Sequence, residues 1–325
     1  MPLTKDEKLL TLSHDIIEGL DKADGGIHPG FRPAHAKGIL LTGVFTPSSE
    51  AASLTRAPHI RQNSTPVTVR FSDFAGIPTV PDNDPPGASP RGCAIRFHLA
   101  EHVHTDIVAH SVDAFPARTA EGFLDFLNAL LATDPAGAHP NAIEQFLSTH
   151  PAALLFVQTP KPIPTSFAKE SFFAISAFKF TNAHGVSRYG RYRVLPVAGN
   201  EYLDEAGAAA RSPNFLFDEI KERVAKEPVR FHIAVQLAEK GDTLDDATVR
   251  WPENRPQLTF GEIILKEVAP NNAMEQQQII FDPIPRVDGI EGSADPLFEP
   301  RANIYLMTGR RRRAAGGEKT IEAGR

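Results

Sequence analysis

Apolar positions along the chain recur with two different periods. In residues 3–20, Leu9, Leu10, Leu12, Ile16, Ile17 and Leu20 return about every 3.6 residues, which predicts an amphipathic helix. The stretch DGGIHPGFRP then breaks it. Strand-like runs follow at 36–45, 66–72, 92–99 and 105–111. Between them, residues 73–90 form a proline-, glycine- and aspartate-rich loop that is too long for an idle connection. The helical period returns at 119–132, with Thr119 placed as its N-cap, and again over HPNAIEQFLSTH. Residues 152–165 are proline-rich and read as irregular. A second strand series covers 172–181, 188–196, 229–238 and 257–268. Asn182-Ala183-His184-Gly185 is a hairpin-turn signal within it, and 212–227 reads as a helix. About eight strands, mostly joined as hairpins and flanked by helices, predict an α+β fold. Its architecture is an eight-stranded antiparallel β-barrel rather than alternating βα units. No repeat or flexible linker divides the chain. Residues 1–313 therefore read as one domain, and 314–325 as a disordered polar tail.

Composition narrows the function classes. Lysine and arginine total 34 against 40 acidic residues, a net charge of −6, which argues against a general affinity for nucleic acid or anionic membranes. The single cysteine, Cys93, excludes an internal disulfide framework and multi-thiolate metal sites. No apolar run is long enough for a membrane span, and the charged start does not resemble a signal peptide. A cytoplasmic protein is expected, or a periplasmic one if a leader has been removed. Phenylalanine is abundant, at 21 residues against 4 tyrosines and 1 tryptophan, and suits a dry pocket as well as a core.

Several short segments bear chemistry. Arg32-Pro33-Ala34-His35-Ala36-Lys37-Gly38 opens the first strand, and Val69-Arg70-Phe71-Ser72 ends the second. Pro90-Arg91-Gly92-Cys93-Ala94-Ile95-Arg96-Phe97 enters the third, and Asp106-Ile107-Val108 returns. Near the far end, Phe281-Asp282-Pro283 precedes Phe298-Glu299-Pro300-Arg301-Ala302-Asn303-Ile304-Tyr305, where Arg301 and Tyr305 face each other one helical turn apart. Each segment alone is unremarkable. In this order, together with the hairpin Asn182–Gly185, they resemble the haem catalases over roughly residues 20–313. Without the family's long N-terminal arm and C-terminal extension, the chain resembles the short catalase-related peroxidase branch.

The resemblance implies a site. Tyr305 would be the axial ligand of a haem b iron, as phenolate, with Arg301 favouring the anion. His35 would be the distal acid–base group, taking a proton from peroxide and returning it to the leaving oxygen. Ser72 would hold the other nitrogen of that imidazole. Arg32, Arg70 and Arg312 would pair with the haem propionates, and Phe115 and Phe123 would wall the distal cavity. The activity implied is a haem-dependent peroxidase that reduces hydrogen peroxide or organic hydroperoxides with an organic electron donor, with weak catalase activity. A monomer or homodimer is expected. One departure stands out: large catalases carry an asparagine pair on the return strand, the second beside the distal histidine. Here His110-Ser111 replaces it, so Ser111 would stand there without an amide N–H, and His110 reads as structural.

Two rival classes are also written in the chain. His102-Val103-His104-Thr105-Asp106, with His98 and His110 nearby, resembles a metallohydrolase metal motif. It lacks the histidine expected at Ile107, and the hairpin-rich pattern does not suit that fold. The other rival is a non-catalytic barrel that carries haem or a fatty ligand without turnover.

Overall fold

Alternation along a strand fills one face and frees the other, and this chain curls the filled face inward. The computed structural model describes the backbone of residues 2–322 and the side chains of residues 2–315. Its strands are β1 (Gly38–Pro47), β2 (Thr65–Ser72), β3 (Gly92–Ala100), β4 (Val103–His110), β5 (Phe172–Phe173), β6 (Phe178–Thr181), β7 (Ser187–Pro196), β8 (Val229–Leu237), β9 (Gln257–Val268) and β10 (Ile290–Gly292). The ring β1-β2-β3-β4-β5-β7-β8-β9 closes through β9 onto β1, giving the eight-stranded antiparallel barrel expected from sequence. β6 prolongs the line of β5 along β7, and β10 pairs with β6 outside the ring.

The barrel is packed solid. Val67, Val69 and Phe71 of β2, Cys93, Ile95 and Phe97 of β3, and Ile107 and Ala109 of β4 point inward. Phe45 and Phe97 meet edge-on at 5.1 Å between ring centroids, and Tyr192 and Phe260 at 5.5 Å. Such edge-to-face pairs suit the aromatic quadrupole and leave no lumen for a ligand. Leu40, Ala94 and Val108 alternate outward and pack with Ala269 and Phe281. A site for chemistry therefore has to lie on the outer face.

Helices cover that face. The Glu7–Ala23 helix is capped by the Asp6 side chain, which accepts from the N–H groups of Lys8 and Leu9. Its Ile16 meets Leu127 of the Ala120–Leu131 helix, whose N-cap is Thr119 as expected. The long Phe298–Glu322 helix lies against the first helix and is tied to it by the Arg311–Asp21 ion pair at 2.5 Å. It enters the stretch read from sequence as a disordered tail. The side chains from 316 onward, and residues 323–325 altogether, lie outside the described residues.

Two elements differ from the sequence reading. Pro151–Gln158 is a helix within the stretch read as irregular. Pro151 sits in its first turn, where a missing N–H costs no hydrogen bond and the fixed φ suits the helix. The strand read over 172–181 is interrupted between β5 and β6, where the Ala177 carbonyl accepts from Ser293 N–H instead of a ladder partner.

His59 is buried among Phe45, Phe97 and Phe260, with no hydrogen-bond partner at Nδ1. Burial pushes its pKa from 6.5 down to about 4. The unfolded chain therefore binds the extra proton first, and stability falls as pH drops from about 6.5 toward about 4. Denaturant midpoints at pH 7.5 and 5.0 should lie closer together in His59→Phe than in the parent. An equal gap in both proteins would remove His59 as a source of the acid sensitivity.

Candidate functional site

The register aligns one residue from each of five strands: Gly38 opposite Ser72, Ser72 opposite Gly92, Gly92 opposite His110, and His110 opposite Phe173. Directly paired residues project to one face of a sheet. Here that is the outer face, because Phe71, Cys93 and Ala109, one residue along, fill the interior. Two glycines make the row concave. A Cβ on Gly92 would lie 2.8 Å from His35 Nδ1 and closer still to Ser72 Oγ, and a Cβ on Gly38 would collide with the Arg70 guanidinium.

His35 approaches this recess from the segment before β1. Its φ of +59° is in the left-handed region, which costs a non-glycine residue on the order of 1–3 kcal/mol and persists only where neighbours enforce it. The enforcing bonds run from His35 N–H to the Phe74 carbonyl (2.5 Å) and from Ala36 N–H to the Ala75 carbonyl (3.0 Å). The imidazole Nδ1 lies 3.0 Å from the Asp73 carbonyl oxygen and 3.1 Å from Ser72 Oγ. A carbonyl can only accept, so Nδ1 carries the ring proton and Nε2 keeps its lone pair. Burial first, and Arg70 second, push the His35 pKa down to about 3, so the ring is neutral near pH 7.

The long 73–90 loop fixes Asp73. Its carboxylate accepts from the buried Arg91 at 2.5 Å, and Arg91 also donates to the carbonyls of Ala88 and Asp82 at 2.6 Å each. Lys37 pairs with the Asp82 carboxylate. The loop is thus wrapped around one guanidinium, and the carbonyl facing His35 cannot drift.

Arg32, Arg70 and Arg312 converge beside the histidine. Arg32 donates to the carbonyls of Gln276 (3.2 Å) and Ile279 (3.1 Å). Arg312 donates to Gln276, Gln277 and Ile279 carbonyls at 3.1, 3.1 and 2.6 Å. Arg70 donates to Gln276 Oε1 (3.0 Å) and to the His35 carbonyl (2.8 Å). Burial lowers the pKa of all three, Arg70 to about 9, and repulsion from Arg312 depresses Arg32 and Arg70 further. Among the described residues, none of the three hydrogen-bonds a carboxylate. That donor set fits a ligand carrying two carboxylates, as haem does in its propionates.

Tyr305 stands on the final helix, and Arg301 Nη2 donates to its hydroxyl at 3.4 Å, as their spacing predicts. Tyr305 is close enough to raise the pKa of Arg32, so the helix presents its phenol to the arginine cluster. Phe115 and Phe123 stack at 5.4 Å. Phe115 packs against the cluster of Ile175, Ala247 and Leu297, and Phe123 against that of Ile16, Ala120 and Leu127, which Ile304, the neighbour of Tyr305, also joins.

Two sequence readings are corrected. The Ser111 hydroxyl is turned to the backbone rather than offered to the distal imidazole, its Oγ accepting from Arg91 N–H at 2.9 Å. His110 is the residue next to Gly92 on the outer face, close enough to His35 that each imidazole disfavours protonation of the other. Strand alternation carried that signal, since His110 shares parity with outward Val108 and not with inward Ile107 and Ala109. His102, His104 and Asp106 do not form a metal cluster. His102 lies in the exposed hairpin turn, and Asp106 accepts two bonds from Arg96 (2.9 and 2.7 Å) and one from Asp282 N–H.

A closed antiparallel barrel with its polar site outside, beneath a terminal helix, defines a catalase-like fold. A fungal catalase superposes with a TM-score of 0.76 at 22% identity, over 96% of this chain and 63% of that one. Catalase A from Saccharomyces cerevisiae gives 0.76 at 21% identity, over 96% of this chain and 65% of that one. The chain belongs to the catalase family, whose profile matches residues 14–320. It is 34% identical over 289 residues to a catalase-related peroxidase of Mycolicibacterium paratuberculosis, spanning 87% of this chain and 90% of that protein. A catalase-related peroxidase of Synechococcus elongatus is 30% identical over 287 residues, spanning 87% and 84%.

Gly92→Ala should leave the far-ultraviolet circular dichroism unchanged and shift the imidazole resonances of His35, because the new methyl takes the space under the ring. Unshifted resonances would show that the ring does not rest on Gly92.

Proposed function

We propose that this chain is a haem-dependent peroxidase that reduces hydrogen peroxide or organic hydroperoxides with electrons from an organic donor, with weak catalase activity. The observation that carries the reading is the carboxylate-free arginine cluster, flanked by a neutral imidazole with a free lone pair and by an arginine-paired tyrosine. Haem b, when bound, supplies an iron that takes oxidising equivalents from a peroxide and passes them to a donor.

The chain's own residues have separate tasks. Arg32, Arg70 and Arg312 would hold the propionates, and their net positive charge opposes loss of a dianionic ligand. Tyr305 would hold the iron, with Arg301 donating a hydrogen bond to its hydroxyl. His35 Nε2 accepts a proton from the peroxide and returns it to the departing oxygen. Ser72 and the Asp73 carbonyl hold the Nδ1 proton, which keeps the ring in the basic tautomer throughout. Phe115 and Phe123 would limit water beside the histidine. Among the described residues no helix is long and apolar enough to cross a membrane.

Mixing the purified chain with haemin should give a Soret band, and its absence would overturn the reading. Arg32→Ala and Arg70→Ala should release haem faster, each lost charge-assisted bond being worth on the order of 1.5–3 kcal/mol. His35→Ala should keep haem and react with hydrogen peroxide about 10²–10⁴-fold more slowly in stopped flow. Tyr305→Phe should do the reverse and lose or perturb the haem spectrum. A His35→Ala protein that binds haem and reacts as fast as the parent would exclude His35 as the base. A parent that binds haem yet does not turn over peroxide with any aromatic donor would favour the non-catalytic barrel.

A further inference from the structure

His110 is not used by any step above, yet it occupies the outer face beside the base. Gly92 separates His35 from the β4 backbone by one strand spacing: the His35 ring rests on Gly92, and His110 is the cross-strand partner of Gly92. Cross-strand partners have their Cβ positions about 4.5–5.5 Å apart, so the two rings are neighbours on one surface.

Their hydrogen bonds run in opposite senses. The Nδ1 of His35 faces a carbonyl and must donate. The Nδ1 of His110 faces the Val112 N–H at 3.3 Å and must accept. An imidazole that accepts at Nδ1 while neutral carries its proton on Nε2. Neutrality is enforced, because burial, then His35, Arg301 and Lys161, push the His110 pKa down to about 3. His110 therefore has no free lone pair near pH 7 and cannot serve as a second base. What it offers is an N–H.

We infer that His110 is the hydrogen-bond donor of the distal site: its Nε2–H holds the peroxide oxygen while His35 Nε2, with the opposite tautomer, takes that peroxide's proton. The inference rests on the peroxidase reading for its substrate, and on the register and the Val112 bond for its geometry. It supplies the N–H that Ser111 cannot offer. His110 gives up no proton in the step; it stabilises the negative charge that grows on the oxygen as His35 becomes imidazolium. The pairing also sets a division of labour. Loss of the base stops proton transfer, whereas loss of the donor weakens the hold on the peroxide and on other small anions.

The tautomers can be read without turnover. In the haem-free protein labelled with 15N-histidine, long-range proton–nitrogen correlations should show His110 protonated on Nε2 and bare on Nδ1, with His35 the mirror image. A proton on Nδ1 of His110 would overturn the inference whether or not haem binds. In the haem-loaded ferric protein, two variants then separate donation from packing. His110→Asn keeps an N–H donor, and His110→Phe keeps a ring of similar size without one. His110→Phe should bind cyanide about tenfold more weakly and react with hydrogen peroxide about tenfold more slowly than His110→Asn, the usual effect of one neutral hydrogen bond. Haem content should be equal in the two. Equal cyanide affinity in both variants would also overturn the inference. If the parent takes up no haem, the peroxidase reading fails on that result alone, and the tautomer measurement still decides whether His110 is a donor.

Discussion

The site depends on one contact, the His35 imidazole against the bare backbone of Gly92. The ring reaches that position only because His35 holds a left-handed backbone, enforced by the hydrogen bonds that His35 N–H and Ala36 N–H donate to the Phe74 and Ala75 carbonyls. It keeps its orientation only because Asp73 and Ser72 take the Nδ1 proton. A side chain on Gly92 would remove the contact, and a one-residue slip of β3 would turn Gly92 inward and Cys93 outward. The geometry of the candidate site is thus written into the strand register, and the register is held by the packed interior of the barrel.

Buried charge is the second organising force. Three guanidiniums share a site in which, among the described residues, none hydrogen-bonds a carboxylate, and their mutual repulsion would open it if nothing compensated. The carbonyls of Gln276, Gln277 and Ile279, at the C-terminal end of the Asn272–Gln278 helix, accept their N–H groups. That end of a helix carries partial negative charge, which offsets the repulsion in part. An uncompensated positive surplus remains, and a ligand with two carboxylates would neutralise it. Around Arg91 the arrangement differs: one guanidinium pairs with the Asp73 carboxyl and donates to the Ala88 and Asp82 carbonyls, which serves rigidity.

The barrel and the site divide the residue types between them. Phenylalanine, which suited either a pocket or a core, went mostly to the core: Phe45, Phe71, Phe97, Phe172, Phe180, Phe231 and Phe260 fill the interior or its ends. The polar groups that carry chemistry alternate with them on the same strands. Arg70 and Ser72 flank Phe71, and Gly92 precedes Cys93. A dry interior and a charged outer face are therefore two sides of one sheet, and each strand contributes to both.

Much of this was legible along the chain. Period-2 runs located the barrel strands, helical periods and Thr119 located a capped helix, and the i, i+4 spacing paired Arg301 with Tyr305, because those features depend only on neighbours in sequence. Alternation even marked His110 as outward. The sequence could not show what lay beside it. That Gly92 leaves room for a ring from before β1, that Ser111 turns to Arg91, and that Arg32, Arg70 and Arg312 meet at the end of one short helix are contacts between segments up to 280 residues apart. Such contacts follow from strand register and closure of the sheet, which are set by the packing of all the strands at once. Local propensity carries no record of them, so only the tertiary structure decided which histidine stands beside His35 and which way each ring holds its proton.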